Sequence, residues 1–162
     1  MRTDKFTQKM QEALQASQDF ASEFSQQEIN NEHFLLALLA QGEGVARPLL
    51  EKVGVSVSAL EERLRDALQK RPKVSGAGAQ LFVGSELNSV LDAAGKEMTK
   101  LKDEFISAEH YLLALSDANA PAARLLKDSG VTHARLLTAL QQVRGSQRVT
   151  DQNPEGKYQT LE

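Results

Sequence analysis

Two Glu-His pairs carry the side-chain types in this sequence that could support chemistry. Glu32 precedes His33, and Glu109 precedes His110. A carboxylate beside an imidazole could hold a metal ion or transfer a proton. Neighbouring residues on a helix point about 100° apart, however, so each pair is poorly placed to share one ion or one proton. With His133 as the only further histidine, we predict neither a catalytic site nor a metal site.

Motifs of common catalytic and nucleotide-binding sites are also absent from the sequence. It contains no G-x-x-x-x-G-K-[ST], no G-x-G-x-x-G, no nucleophile elbow and no H-E-x-x-H. The stretch 76–78, Gly-Ala-Gly, lacks a third glycine and a following lysine, so we interpret it as a flexible loop. We therefore expect this chain to be non-catalytic and to contain no cofactor.

Glu32 and Glu109 have two further interpretations. A carboxylate in the first turn of a helix complements the positive end of the helix dipole, which contributes about 0.3 to 1 kcal/mol. Alternatively, the two carboxylates could anchor a cationic or amide group of a bound polypeptide. We favour the structural role and keep the binding role as the alternative.

Both pairs lie in an element that occurs twice. Residues 29–38 and 106–115 are identical at seven of ten positions, and a Leu-Leu-x-x-x-Gly-Val stretch follows each copy at 49–55 and 125–131. Such a match at a fixed offset indicates an internal duplication. Two copies of a helical unit can bury their apolar faces against each other. The sequence therefore predicts one bilobed domain.

Apolar periodicity places the helices of this domain. Steps of three and four residues predict a first helix from about Thr7 to Glu23, with Thr7 either capping it or lying on a binding surface. A second helix, from Asn31 to Gln41, is apolar almost all round and should be buried. A helix from Ser85 begins the same scheme in the second half. The short run 81–83 predicts an extended segment across the repeat interface, without a partner that would indicate a sheet.

Composition limits the possible partners and compartments. The 162 residues are 41% hydrophobic and 25% charged, which is typical of a globular domain. The longest apolar run, 34–40, is too short to span a bilayer, and no signal peptide is evident. The absence of cysteine is compatible with the cytoplasm. A net charge of −3, with basic residues at 63–73 interleaved with acidic ones on a solvated face, gives no reason to expect nucleic acid.

Changes of pattern divide the chain. We predict repeat one at about 1–71, an inter-repeat loop at 72–84 and repeat two at 85–145. The polar residues 146–162 lack helical periodicity and predict a linker. Its last residues are typical of the start of another element, so we expect this chain to be a piece of a longer protein.

With the duplicated E-H-[FY]-L-L-A-L element and the Leu-Leu-x-x-x-Gly-Val that follows it, residues 1–145 resemble the Clp N-terminal repeat domain of ring-forming, ATP-driven unfoldases. The resemblance implies an all-α fold with two pseudo-twofold-related four-helix repeats. Residues 148–162 are similar to the linker before the first ATPase module of ClpB-type disaggregases. That similarity implies that ATP and Mg²⁺ bind in ATPase modules missing from this chain and that the full-length protein cooperates with a DnaK-type chaperone system. It also implies a hexamer at full length only, so that the fragment alone would be a monomer.

The resemblance also implies a binding function. An apolar groove near the helix from Ser85 would capture unfolded or aggregated polypeptides, without nucleic acid or membrane. The positions implicated in polypeptide binding are Leu87, Leu91, Phe105, Thr7, Asp103, Glu109 and Glu32. Leu87 and Leu91 also lie on the predicted core stripe, so groove and core remain open for both. Residues 41–46 are similar to the ClpC type, so the alternative is an adaptor-docking domain of a ClpC-type or ClpA-type protease-linked unfoldase, acting through Glu32 and Glu109.

Overall fold

The duplication appears in the structure as two sets of helices with matching lengths. The computed structural model describes residues 3–74, 80–145 and 149–150. Within these residues the helices are α1 Gln8–Glu23, α2 Asn31–Leu39, α3 Ala46–Val53 and α4 Val57–Lys70, followed by α5 Ser85–Lys100, α6 Ala108–Ser116, α7 Pro121–Asp128 and α8 His133–Arg144. α1 and α5 each contain 16 residues, α2 and α6 each contain 9, and α3 and α7 each contain 8. The last pair, α4 and α8, contains 14 and 12 residues. The predicted all-α fold is confirmed.

The helix ends follow from local chemistry. Thr7 precedes α1, and its side-chain oxygen accepts a hydrogen bond from the backbone N–H of Met10 at 3.3 Å, which confirms the capping interpretation. α3 ends at Gly54, whose φ of +103° is left-handed and favours glycine because it has no Cβ. α2 ends at Leu39, two residues before the predicted end at Gln41.

The two most apolar helices, α2 and α6, form the centre of the core. Every residue of both helices is buried. Phe34 and Tyr111 occupy equivalent positions in the two repeats, and their ring centroids lie 4.6 Å apart with the rings tilted by 56°. The Tyr111 hydroxyl donates to Asn31 Oδ1 at 2.7 Å. Contact between equivalent residues is what a pseudo-twofold arrangement requires at its axis, so the repeats share one core. In the part of the chain that the structure describes, no helix is both long and apolar enough to cross a membrane.

Short extended segments tie each repeat to the other. Strand β1, Glu28–Ile29, pairs in parallel with strand β2, Phe82–Val83, and Phe6 forms a parallel bridge with Ile106. The predicted extended segment at 81–83 is therefore correct, but the expectation that it has no strand partner is wrong. Its partner, β1, is only two residues long and leaves no alternating pattern in the sequence. The Phe6–Ile106 bridge joins the two repeats, and the β1–β2 pairing joins repeat one to the segment that leads into α5, so the two repeats are interlocked.

Gly84 allows β2 to pass close to β1. A Cβ at this position would lie 2.7 Å from Glu28 Cγ and 2.8 Å from Asn30 Oδ1. The Gly84 N–H donates to the Ile29 carbonyl at 2.9 Å. A larger residue at position 84 would force the side chains of Glu28 and Asn30 to shift just where α5 begins.

Packed structure continues past the predicted end of repeat two at Gly145. Val149 is fully buried, its N–H donates to Asp103 Oδ1 at 2.9 Å, and its carbonyl accepts from the Glu104 N–H at 2.7 Å. The rest of the predicted linker, apart from Thr150, and residues 75–79 of the predicted inter-repeat loop lie outside the described residues. The domain boundaries otherwise stay a prediction.

Candidate functional site

A cavity of about 330 Å³ opens beside α5. We call it the α5 pocket, and it is lined by Lys5, Phe6, Leu91, Asp92, Gly95, Met98, Thr99 and Ile106. Four of its eight lining residues are large and hydrophobic, and the other four are a glycine, a threonine, one basic residue and one acidic residue. A pocket of this kind suits an apolar side chain, whatever the charge of the molecule that carries it.

The fold builds the α5 pocket from residues of both repeats. One side is the Phe6–Ile106 bridge, which is held by hydrogen bonds from the Thr7 N–H to the Ile106 carbonyl at 3.0 Å and from the Ile106 N–H to the Lys5 carbonyl at 2.7 Å. The other side is α5, where residues spaced by four and three share one face. Sequence-distant elements therefore meet here because the repeats are interlocked.

Gly95 leaves room between these two sides. A Cβ built on Gly95 would lie 3.7 Å from Ile106 Cδ1, an ordinary van der Waals contact. Leu91 and Met98, at spacings of four and three residues along α5, continue the same wall. The missing side chain at position 95 therefore contributes to the depth of the pocket.

The three apolar residues implicated by the resemblance have different positions. Leu91 lines the α5 pocket but is only 2% exposed, so it forms the floor. Leu87 is fully buried in the core and cannot be reached from the surface. Phe105 is half-buried, packs against the core and does not line the pocket. The sequence left open whether Leu87 and Leu91 line a groove or belong to the core. The burial of Leu87 assigns it to the core.

Most of the pocket wall was not predictable from the sequence. Phe6, Met98 and Ile106 have the apolar character of core residues, so their types alone do not distinguish packing from pocket lining. Gly95 was the available signal, because glycine within a helix costs about 1 kcal/mol relative to alanine.

The acidic residues implicated in repeat two belong to a buried ion-pair network. Arg144 donates to Asp103 Oδ2 at 2.8 Å and to Glu109 Oε2 at 3.2 Å, and His110 Nε2 lies 2.6 Å from the same Asp103 oxygen. Glu109 is fully buried, and Asp103 is 7% exposed. Thr7 is also fully buried as the α1 cap. None of these three residues lines the α5 pocket.

The network determines the charge state of Asp103. Burial alone would raise the pKa of this carboxyl. The hydrogen bonds from His110, the Val149 N–H and Arg144, together with the arginine's charge, outweigh that effect and hold the pKa of Asp103 below its usual value. Asp103 is therefore an ionised anchor for α8 and for the chain at Val149.

Repeat one contains a related network around Glu32, which is 1% exposed. Arg71 donates to both Glu32 oxygens, at 2.5 and 3.2 Å, and to Glu86 at 3.3 Å. Burial opposes the charged form of Arg71, but its hydrogen bonds and charge interactions with Glu32 and Glu86 raise its pKa. The prediction that residues 63–73 form a solvated basic face is thus wrong for Arg71, whose side chain is 22% exposed.

The two histidines of the duplicated element act as structural connectors. His33 Nδ1 accepts from the Asn30 N–H at 2.8 Å, so the proton lies on Nε2, which donates to Gln26 Oε1 at 2.8 Å. His110 Nδ1 accepts from the Ser107 N–H in the same way. Both rings use both nitrogens within the fold, which leaves no lone pair for a metal or for catalysis. Burial, and then the charge of Arg71, lower the pKa of His33 to about 4.

A second apolar surface lies near β2. Among the described residues, the exposed large hydrophobic side chains are Val74, Leu81 and Phe82, with Phe82 51% exposed. We call these three residues the β2 patch. It adjoins a smaller cavity of about 170 Å³ that is lined by Val74, Phe82 and polar residues including Arg71. The β2 patch is therefore a possible competitor of the α5 pocket for apolar ligands.

Comparisons with known proteins agree with the fold and the repeat. Residues 5–129 match the family model described as the Clp repeat (R) N-terminal domain. The chaperone protein ClpB of Bacillus cereus is 41% identical over 165 residues, which cover 100% of this chain and 19% of that protein. The chain thus spans about a fifth of the length of the curated relatives it matches.

Two solved structures show the same architecture at low sequence identity. The crystal structure of the Hsp104 N-terminal domain from Candida albicans has a TM-score of 0.78 at 21% identity and covers 93% of this chain and 99% of that one. A complex of a ClpV N-domain with VipB peptide has a TM-score of 0.62 at 18% identity, with 84% and 89% covered. At these identities the likeness concerns the fold alone.

Proposed function

Since the chain belongs to the Clp repeat N-terminal domain family, we propose that it recruits unfolded polypeptides to a ClpB-type chaperone by binding their apolar side chains in the α5 pocket. The identity of 41% to a ClpB chaperone favours this assignment over the ClpC-type or ClpA-type alternative. The observation that carries the proposal is the cavity between α5 and the Phe6–Ile106 bridge, with Phe6, Leu91, Met98 and Ile106 in its lining.

The chemistry of the α5 pocket fits a promiscuous receptor. Burial of apolar surface contributes about 0.8 kcal/mol per methylene, whatever sequence surrounds it. Lys5 and Asp92 among the lining residues have opposite charges, so the pocket has no strong preference for acidic or basic segments. A native protein keeps its large apolar side chains inside, whereas an unfolded chain exposes them.

The adaptor-docking alternative requires Glu32 and Glu109 to be available to a partner. Each carboxylate is already paired with an arginine of this chain, Arg71 or Arg144, and each is at most 1% exposed. A partner would have to break a buried ion pair, which costs about 3 to 5 kcal/mol. The complex of a related N-domain with a peptide supports polypeptide binding as a capacity of this fold.

In this proposal, catalysis belongs to parts of the whole protein outside this chain. We propose that ATP and Mg²⁺ bind in ATPase modules outside this chain and that those modules assemble the hexamer. In the same proposal the full protein works in the cytoplasm with a DnaK-type system on aggregated polypeptides. This chain, by itself a monomer, would select substrate and carry out no catalysis.

A residue-resolved NMR titration tests the proposed function. The chain is titrated with a permanently unfolded protein and, in parallel, with a folded protein of similar size. We expect shifts around Leu91, Gly95 and Met98 with the unfolded ligand only. Shifts confined to the β2 patch or to Glu32 and Glu109, or equal shifts with the folded ligand, would overturn the proposal.

A further inference from the structure

Three potential metal ligands from three elements converge on a face of α5 away from the α5 pocket. Glu97 lies on α5, Asp117 directly follows α6, and His133 is the first residue of α8. One ligand atom of each lies within 4.8 Å of the others, and His133 Nε2 is 3.0 Å from Glu97 Oε1. Met98, which lines the pocket, points about 100° away from Glu97 around the helix.

Glu97 differs from the other buried carboxylates in how its charge is balanced. It is 7% exposed, and in the part of the chain that is described its partners are His133 and, at 3.7 Å, Nζ of Lys100, a side chain that is 70% exposed. The other buried acidic residues there each have a hydrogen-bonded arginine: Glu32, Asp103 and Glu109. A buried charge without a close partner of opposite charge is costly. Asp117 brings a second carboxylate to the same place and increases the deficit of positive charge.

We propose that Glu97, Asp117 and His133 form a binding site for Zn²⁺, with water as the fourth ligand. Zinc accepts imidazole nitrogen and carboxylate oxygen in tetrahedral sites with bonds of about 2.0 to 2.2 Å, which place ligand atoms about 3.3 Å apart. The pair of His133 and Glu97 already has nearly this spacing. Asp117 is exposed, so its side chain is free to close the remaining distance. Two carboxylates and a neutral imidazole would balance the charge of one Zn²⁺.

The composition of the chain leaves His133 as the histidine available to bind a metal ion. The chain has three histidines and no cysteine. His33 and His110 are fully buried, and both of their ring nitrogens are hydrogen-bonded. The His133 side chain is 26% exposed. A zinc site with a nitrogen ligand therefore has to use His133.

Isothermal titration of the metal-free chain with Zn²⁺ tests the site. The variants are His133→Gln and Glu97→Gln, with Asp128→Asn as the matched control, an exposed acidic residue at the end of α7. We expect one Zn²⁺ per chain, affinity at least tenfold weaker in both site variants, and unchanged affinity in the control. Mg²⁺ should bind at least a hundredfold more weakly, since an imidazole ligand favours zinc. Equal binding of Mg²⁺, or no binding of Zn²⁺ to the unaltered chain, would overturn the proposal.

The melting temperature, measured with and without Zn²⁺, separates a loss of metal binding from a folding defect of a variant. A ligand that binds only the folded state raises the melting temperature, so Zn²⁺ should raise it for the unaltered chain and for Asp128→Asn. The rise should vanish in His133→Gln, whose partly exposed position tolerates the change. If Glu97→Gln does not fold, His133→Gln alone decides. A variant that lacks His133 yet keeps the rise would contradict the assignment.

Discussion

Gln26 and Asp103 accept the same hydrogen bond in the two repeats. His33 Nε2 donates to Gln26 Oε1 at 2.8 Å, and His110 Nε2 lies 2.6 Å from Asp103 Oδ2. The Gln26 amide is neutral, whereas the Asp103 carboxylate is negatively charged and forms an ion pair with Arg144. The duplicated histidine networks therefore have the same geometry and different electrostatics, which leads to different responses to pH and mutation.

His33 should make the folded state sensitive to mild acid. Its pKa falls from 6.5 to about 4 on folding. Between these two pH values the His33 imidazole is therefore protonated in the unfolded chain and neutral in the folded chain. The stabilisation is fully present above pH 6.5 and is lost as the pH falls through 4. The free energy of unfolding should decrease by about 3 kcal/mol over this window through His33 alone. Urea denaturation at intervals between pH 7 and pH 4 measures the decrease.

The variant His33→Gln isolates this contribution, because glutamine does not titrate. Its free energy of unfolding should fall less steeply with decreasing pH than that of the unaltered chain. NMR provides a direct check, since the His33 imidazole should stay neutral at pH 5. Titration of this ring near pH 6.5 would show that burial and Arg71 do not depress its pKa.

Asp103→Asn should destabilise the domain strongly. The substitution removes one of the carboxylates that pair with the buried Arg144, as well as the charge that faces His110. Breaking a buried ion pair costs about 3 kcal/mol or more at pH 7. Because the folded-state pKa of Asp103 is lowered, this stabilisation is present above the unfolded value of about 3.9 and is lost as the pH falls through the folded value. The difference from the unaltered chain should therefore shrink in that acid range.

The control for Asp103 is Asp66→Asn on the exposed face of α4. A surface change of this kind usually stays within about 0.5 kcal/mol. Urea denaturation of both variants at pH 7 gives the comparison. Equal stabilities would mean that the network around Arg144 contributes nothing to folding.

Leu87→Ala and Leu81→Ala should separate core from surface. Leu87 is fully buried, whereas Leu81 is 37% exposed. Removing a buried leucine side chain costs about 2 to 5 kcal/mol, so Leu87→Ala should lower the free energy of unfolding by that amount. Leu81→Ala should cost less than about 1 kcal/mol. If Leu87→Ala left the free energy of unfolding unchanged but weakened polypeptide binding, Leu87 would have to be a ligand-contacting residue and not a core residue.

The sequence predicted the features that periodicity controls. The stripe from Phe6 along α1, the cap at Thr7 and the twice-repeated Glu-His helix follow from local spacing, so the all-α duplicated fold was accessible. Strand β1 was not accessible, because two residues cannot show a strand pattern.

Features that depend on tertiary contacts were not predictable. Arg71 lies in a run of surface charges, and only the fold brings it to Glu32. Glu97 and His133 are 36 residues apart, so a search for metal ligands among sequence neighbours does not connect them. The α5 pocket depends on the crossing of α5 with the Phe6–Ile106 bridge, for which residue types alone give no sign.

The most direct test of polypeptide binding in the α5 pocket is to fill it from inside. Gly95→Met places an apolar side chain where Gly95 faces Ile106, while Ser89→Met places the same side chain on an exposed position of α5. The measurement is the dissociation constant for a permanently unfolded protein, by fluorescence anisotropy, after circular dichroism has shown that both variants are folded. Occupation of the pocket should remove the burial of one ligand side chain, about 2 kcal/mol, and weaken binding at least tenfold in Gly95→Met only. Unchanged affinity in a folded Gly95→Met variant would contradict the account.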